Sequence, residues 1–322
     1  MLGQPTQTKL AAFNEVPIVD ISGANDPQKR PALVKEVISV AEQVGFMYVV
    51  GHGIGDDIMD GIFDMSRNFF DLPDAEKRRI HITKSPEYRG YLGLLEKGNT
   101  DPTFKGNNLE AFHCAVELTA DDPDVKAGMP LRGPNLWPDA PAGFHDIVYS
   151  YYERTFKVGT TLLELFAEGL GQPSDFFTRH YRHSLAQLRL LRYAQIDDPK
   201  VELLARSHCD TGMITILSQD DTGGLQVLNK AGEWIPAPPV RGAYIVNIGN
   251  TLQFWSGGRF SSTNHRVANR GGVPRFSIPF FMTPDYDTVV RPLGMENDAN
   301  APTFHVGEEM MATYRRIWPS AA

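Results

Sequence analysis

SHCDTGMITILSQDDTGGLQVLNK, residues 207–230, sets a small polar cluster directly before a run of β-branched and apolar residues. Side chains alternate along a strand, so His208 and Asp210 project to one face, about 7 Å apart at the backbone, and two such groups can close on one metal ion. Cys209 lies between them and points the other way, which reads as packing. The apolar run ends at Gly223 and Gly224, a pair that fits a hairpin turn.

The same texture extends on both sides. LAQLRLLRYAQ, MITILSQ, GLQVLN, EWIPA, AYIVNIG, LQFWSGG and RFSIPFFM are short, β-rich and separated by Gly, Asn, Asp or Pro, as in an antiparallel sandwich or barrel. Toward the N-terminus, VPIVDI and FMYVV read as strands, while PALVKEVISVAEQV and DDIMDGIFDMSRNFF read as amphipathic helices. FHDIVYSYYERTFKVGTTLLELFAEGLG is helical in spacing, with Gly169 and Gly171 as stop signals. The expected architecture is mainly β with α, a helical N-terminal layer on a C-terminal β core in one compact unit. Its parts are an N-terminal arm at 1–15, an α/β region at 16–140, a helical segment at 141–184 and the core with its tail at 185–322.

Composition excludes several classes. The 322 residues are 42% hydrophobic and 22% charged, and no apolar run approaches membrane-spanning length. A net charge of −8 argues against broad binding of nucleic acid or anionic membranes, which needs clustered Lys and Arg. The first residues lack the apolar core of a secretory signal, and Cys114 and Cys209 form no metal-type pair; a cytoplasmic, reducing setting is expected.

A third metal ligand is needed, and of nine histidines His265, in RFSSTNHRVAN, is the best placed, because a sheet can set it opposite the first pair. Two imidazoles and one carboxylate on a triangular face are the arrangement typical of non-haem Fe(II) oxygenases and leave coordination positions open. Ten residues further on, Arg275 and Ser277 share a strand face, and a guanidinium beside a hydroxyl clamps a carboxylate. Open metal positions near such a clamp suit a keto acid chelated at one end and held at the other, which is what 2-oxoglutarate requires.

The ordered set SHCDTGMITILSQDDTGGLQV, GEWIPAPPVRGAYIVNIGNTLQFWSGGRFSSTNHRV and RFSIPFFMTPDYD closely resembles the iron and 2-oxoglutarate-dependent dioxygenases of the isopenicillin N synthase-like family. VPIVDISG and VGFMYVVGHGI are similar to the family's N-terminal segment, so the resemblance spans roughly residues 16–315. It implies a double-stranded β-helix, or jelly roll, with packed helices. It also implies iron ligation by His208, Asp210 and His265, a grip on the far carboxylate of 2-oxoglutarate by Arg275 and Ser277, and a cosubstrate contact from Tyr193. One position departs from the pattern: the family often has an asparagine two residues before that tyrosine, and this chain has Leu191.

Alternation in QLRLLRY puts Gln187, Arg189, Leu191 and Tyr193 on one face. An interior arginine needs an acceptor, either a nearby acid in a salt bridge or an anionic or carbonyl-bearing substrate. The resemblance favours a substrate contact for Arg189. His113 in EAFHCAVEL is placed to line the barrel mouth, and Arg89 and Tyr91 in YRGYLG belong to a segment expected to close over the site; all three are substrate candidates. Residues 85–115 are expected to contribute to the pocket. His52 reads as a hydrogen-bonded turn histidine, and His81, His145, His180, His183 and His305 as surface or capping groups.

The implied activity uses Fe(II), 2-oxoglutarate and O2 to oxidise, by default to hydroxylate, a small organic metabolite, with release of succinate and CO2. Two alternatives stand beside it within the family: an oxidase that does not use 2-oxoglutarate, and an enzyme that fragments 2-oxoglutarate itself. From outside it, a non-catalytic jelly-roll binding module is the remaining reading.

Overall fold

The computed structural model describes residues 13–94, 109–198, 200–295, 298 and 300–317. Most of the expected arm, and residues 95–108 of the expected pocket segment, lie outside the described residues.

Helices form where apolar residues recur every three to four positions. α1 (Arg30–Gln43) has Pro31 in its first turn and buries Leu33, Val37, Ile38 and Ala41. α2 (Asp56–Phe70) starts with Asp56 and Asp57, acids at the positive end of the helix dipole, and buries Met59, Ile62, Phe69 and Phe70. α3 (Asp74–Lys77) and α4 (Pro123–Lys126) are single turns. α5 (Phe144–Gly169) is followed by Gly171 at a φ of 75°, a left-handed residue that stops the helix. α6 (Asn250–Trp255) and α7 (Val306–Ile317) complete the set.

Two sheets carry the architecture. Their strands are β1 (Ile18–Asp20), β2 (Phe46–Val50), β3 (Gly90–Leu92), β4 (Leu109–Ala115), β5 (Gln187–Tyr193), β6 (Leu203–His208), β7 (Ile214–Gln219), β8 (Leu225–Leu228), β9 (Trp234–Pro236), β10 (Tyr244–Ile248), β11 (His265–Ala268) and β12 (Arg275–Met282). The larger sheet runs β1-β2-β10-β7-β12-β5-β4-β3 and the smaller β6-β11-β8-β9. Only β1 and β2 pair in parallel; the other pairings in these two sheets are antiparallel. The N-terminal region is thus more than a helical layer, since it supplies β1 and β2 to one side of the larger sheet and β3 and β4 to the other.

Alternation gives the larger sheet two different faces. Phe276, Ile278, Phe280 and Met282 of β12 join the main core, with Val148, Leu162 and Phe166 of α5 and Ile62 and Phe69 of α2. Arg275, Ser277, Pro279 and Phe281 point the other way and line a cavity of about 380 Å³. A second core, including Phe46, Tyr193, Leu204, Val227 and Val267, joins the two sheets.

Two local expectations are corrected. LQFWSGG, read as a strand, lies largely in α6: the Gln253 N–H donates to the Gly249 carbonyl, while Leu252 and Trp255, three apart, are buried together. Asp210 is not on a strand either; β6 ends at His208, and the two residues after it lie outside the sheet. Their position is set by α6, whose first residues grip the turn: Asn250 N–H donates to the Asp210 carbonyl at 2.8 Å and the Thr251 hydroxyl to the Thr211 carbonyl at 2.6 Å.

Candidate active site

Strand register brings the metal candidates together. His265 on β11 is the direct cross-strand partner of His208 on β6, and the two imidazoles lie 4.2 Å apart between centroids. Asp210 reaches in from the turn, its Oδ1 3.8 Å from His208 Nε2 and 3.9 Å from His265 Nε2. One ligand atom from each of the three falls within 4.8 Å of the others, a spacing one metal ion can occupy.

Hydrogen bonds fix which atoms face the centre. His208 Nδ1 meets the Arg206 carbonyl at 2.8 Å and His265 Nδ1 meets the Thr263 carbonyl at 3.3 Å. A carbonyl only accepts, so each Nδ1 carries the proton and each Nε2 keeps its lone pair for a metal. Asp210 Oδ2 accepts from the Thr215 hydroxyl at 2.5 Å and from Asn247 Nδ2 at 2.8 Å, which leaves Oδ1 for the ion. Burial works to raise the Asp210 carboxyl, but the two imidazoles and these hydrogen bonds outweigh it and hold the pKa below its ordinary value. Burial also pushes His265 down, so its imidazole is neutral and able to ligate.

Beyond the triad, Arg275 is almost wholly buried, with Nε donating to the Gly223 carbonyl at 2.8 Å and one terminal nitrogen 3.4 Å from Gln219 Oε1. Its guanidinium lies 5.3 Å from the centre of the Tyr193 ring, and burial lowers its pKa from a value high enough that it stays charged. Tyr193, the register partner of Arg275, hydrogen-bonds Ser277, so the three form one polar end of the cavity. Leu191 sits between Ser277 and Ala111 in register and presents an apolar side chain there.

Arg189 and His113 are register partners and both line the cavity. Burial, then the Arg189 charge, pushes His113 well below the ordinary histidine value and keeps it neutral. Arg189 makes no salt bridge among the described residues; its Nε donates to Gln187 Oε1 at 2.9 Å and its guanidinium lies 4.8 Å from the centre of the Phe281 ring. Arg89 and Tyr91 are placed elsewhere. Arg89 donates to the carbonyls of Val116, Leu131 and Gly133, pinning a loop, and the Tyr91 hydroxyl donates to Glu110 at 2.6 Å on the helix side of the sheet. His52 is a turn residue, its Nε2 donating to the Gly242 carbonyl and its Nδ1 accepting from the Ile54 N–H. Sequence reading missed Thr215 and Asn247; the available signal was a polar residue flanked on both sides by apolar ones in MITILSQ and AYIVNIG.

Residues 182–284 match the 2OG-Fe(II) oxygenase superfamily, and residues 16–140 match the family described as non-haem dioxygenase in morphine synthesis N-terminal. A protein from Dictyostelium discoideum named as a probable iron/ascorbate oxidoreductase is 35% identical over 86% of this chain and 83% of its own. The chain belongs to the 2OG-Fe(II) oxygenase superfamily. A homoarginine-6-hydroxylase of Glycine max is 33% identical over 87% of this chain and 89% of that protein. A Neurospora crassa enzyme solved with alpha-KG and thymine superimposes with a TM-score of 0.78 at 25% identity, covering 94% of this chain and 96% of that one.

The protein is accordingly an oxidoreductase with a jelly-roll core, a dioxygenase that uses Fe(II), 2-oxoglutarate and O2 on a small molecule. The donor set fits the metal: two imidazoles that present Nε2 and a carboxylate held on one face are what Fe(II) of this chemistry takes. No helix among the described residues is long and apolar enough to cross a membrane.

Proposed function

We propose that His208, Asp210 and His265 hold the Fe(II), that Arg275, Ser277 and Tyr193 hold the distal carboxylate of 2-oxoglutarate, and that Arg189 receives an anionic or carbonyl group of the substrate. The observation that carries this reading is the shared cavity, which has the triad, the Arg275 end and Arg189 in one lining of about 380 Å³. When bound, the iron lets O2 split between two acceptors: one oxygen atom enters succinate as 2-oxoglutarate loses CO2, and the other enters the substrate as a hydroxyl.

The residues of this chain supply position and charge. Arg275 is preset by the Gly223 carbonyl and the Tyr193 face, so little side-chain freedom is lost when a carboxylate arrives. Ser277 adds a hydroxyl beside it. Leu92, Leu191 and Phe281 make apolar wall, which displaces water and favours a largely hydrocarbon or aromatic substrate body.

Charge selects the handle. Asp210 is the only acidic residue in the cavity lining among the described residues, against Arg189 and Arg275. A divalent iron and two arginines bring four positive charges, and Asp210 with a dianionic cosubstrate brings three negative ones. One positive charge remains, and it belongs to Arg189. A monoanionic substrate completes the balance, whereas the cationic end of homoarginine would meet no acidic partner but Asp210 among the described residues of the lining.

The test is anaerobic titration of the Fe(II)-loaded enzyme with 2-oxoglutarate, following the visible charge-transfer band of the chelate, in wild type and Arg275→Ala. The band forms in both, but the variant needs at least tenfold more cosubstrate, as expected for a lost charge-assisted hydrogen bond. Equal affinities would remove Arg275 from the clamp. In turnover with a substrate found by screening monoanions, succinate and hydroxylated product form one to one.

A further inference from the structure

Arg189 is held by a device that leaves its charge intact. Its Nε donates to Gln187 Oε1 at 2.9 Å, and its side chain also hydrogen-bonds the Tyr314 hydroxyl. The Tyr314 hydroxyl in turn donates to the same Gln187 oxygen at 3.3 Å. Three side chains therefore close a triangle in which both acceptors facing the guanidinium are neutral. A carboxylate at either place would have fixed Arg189 and cancelled its charge; an amide and a phenol fix it and cancel nothing.

Tyr314 arrives from far along the chain. It lies on α7, whereas Gln187 and Arg189 are two apart on β5. Tyr314 is buried in a small cluster with Tyr88, Leu131 and Leu185, against which Met310 and Met311 also pack, so α7 presents the hydroxyl from a fixed position. On the other sides of Arg189, Phe281 offers a ring face and the opposing His113 is neutral.

We propose that Gln187 and Tyr314 are positioning residues that aim the Arg189 guanidinium into the cavity, making docking of the C-terminal helix a determinant of selectivity for anionic substrates. The inference rests on the reading of Arg189 as the substrate's anion site. An arginine side chain free to rotate loses substantial entropy on gripping a carboxylate, and the triangle removes that loss in advance. Neither residue touches the iron or the Arg275 end, so their effect is confined to the substrate.

Phenylacetate and its neutral counterpart phenylacetamide probe this directly. Each is titrated anaerobically into the enzyme loaded with Fe(II) and 2-oxoglutarate, and the shift of the charge-transfer band reports binding. Wild type favours the carboxylate. Tyr314→Phe lowers that preference about three- to tenfold and Gln187→Glu, which neutralises Arg189 in place, abolishes it, while both keep wild-type affinity for 2-oxoglutarate and an unchanged melting temperature. Carboxylate preference that survives in both variants but vanishes in Arg189→Ala would overturn the positioning role and leave the anion site standing. No preference in wild type, or one that persists in Arg189→Ala, would overturn the anion site and the positioning role together. A loss of cosubstrate affinity in step with the loss of preference would mean that α7 is only structural.

Discussion

As a proposed iron ligand, Asp210 depends on two neighbours for its orientation. Thr215 and Asn247 are themselves register partners on β7 and β10, so the sheet delivers both donors to one carboxylate oxygen. Without them the carboxylate can rotate, and either oxygen can face the ion. Asn247→Ala is expected to weaken Fe(II) binding by about 10- to 100-fold, the usual cost of losing a group that orients a ligand. Anaerobic competition against a chelator measures it, and an unchanged dissociation constant would show that the Thr215 bond alone suffices. The three proposed ligands were legible in the sequence through the order and spacing of H-x-D, a later histidine and R-x-S, together with the family resemblance of the segments around them. Their supports were not, because a lone Asn or Thr in a strand carries no sign of what it faces until the register is known.

The turn carrying Asp210 and the start of α6 form a close joint near the site. A Cβ on Gly249 would stand 2.1 Å from the Gly212 carbonyl oxygen, a backbone atom that cannot swing aside without moving the ligand turn. Gly249→Ala is therefore expected to displace Asp210 and reduce turnover by about 100-fold, the cost typical of a misplacement near 1 Å. Gly61→Ala in α2, where nothing lies within 4 Å of the new carbon, is the control and should stabilise the helix by about 0.5–1 kcal/mol. Similar activities in the two variants would show that the turn is compliant. This joint also explains the misread element. NTLQFW is rich in apolar and aromatic residues, which by composition suit a strand, but the N–H groups of Asn250 and Thr251 are directed at the carbonyls of the turn that carries Asp210. The strands β7, β10 and β12 were readable as short β-rich runs between turn residues, whereas the pairing order required contacts between residues far apart in the chain. Arg89 shows the same limit: its sequence setting suggested a pocket, and only the fold reveals three loop carbonyls around its guanidinium.

Two cores meet on the eight-stranded sheet, and the histidines buried between or beside them tie the stability of the molecule to pH. Burial lowers the pKa of His113 and His265 below the ordinary 6.5, and it does the same for the half-buried His52 and His180. The unfolded chain takes up these protons near pH 6.5 and the folded chain only at lower pH. Their contribution is therefore neutral above 6.5 and becomes a growing penalty on folding as pH falls from 6.5 toward the folded values. Asp210, held below the carboxylate range, adds stability that is lost only at still lower pH, and Asp285, raised by burial, acts in the opposite sense near that same range. Between pH 7 and 5.5 the lowered histidines make stability fall as the pH falls. For the metal-free enzyme the unfolding free energy should fall by about 1–3 kcal/mol per pH unit in this window, since each fully unbalanced proton is worth about 1.4 kcal/mol per unit and the half-exposed groups contribute less. Urea unfolding in chelator at pH 7.5, 6.5 and 5.5 gives the slope directly. His113→Gln should flatten it by roughly one proton's share, about 1 kcal/mol per unit. Saturating Fe(II) should steepen it, because the ion adds stability at pH 7.5 and metal binding weakens on acidification as protons compete for the ligands. A flat profile in the metal-free protein would mean that the cavity admits enough water to solvate a charged His113, and the dry wall assigned to the substrate end of the site would have to be abandoned with it.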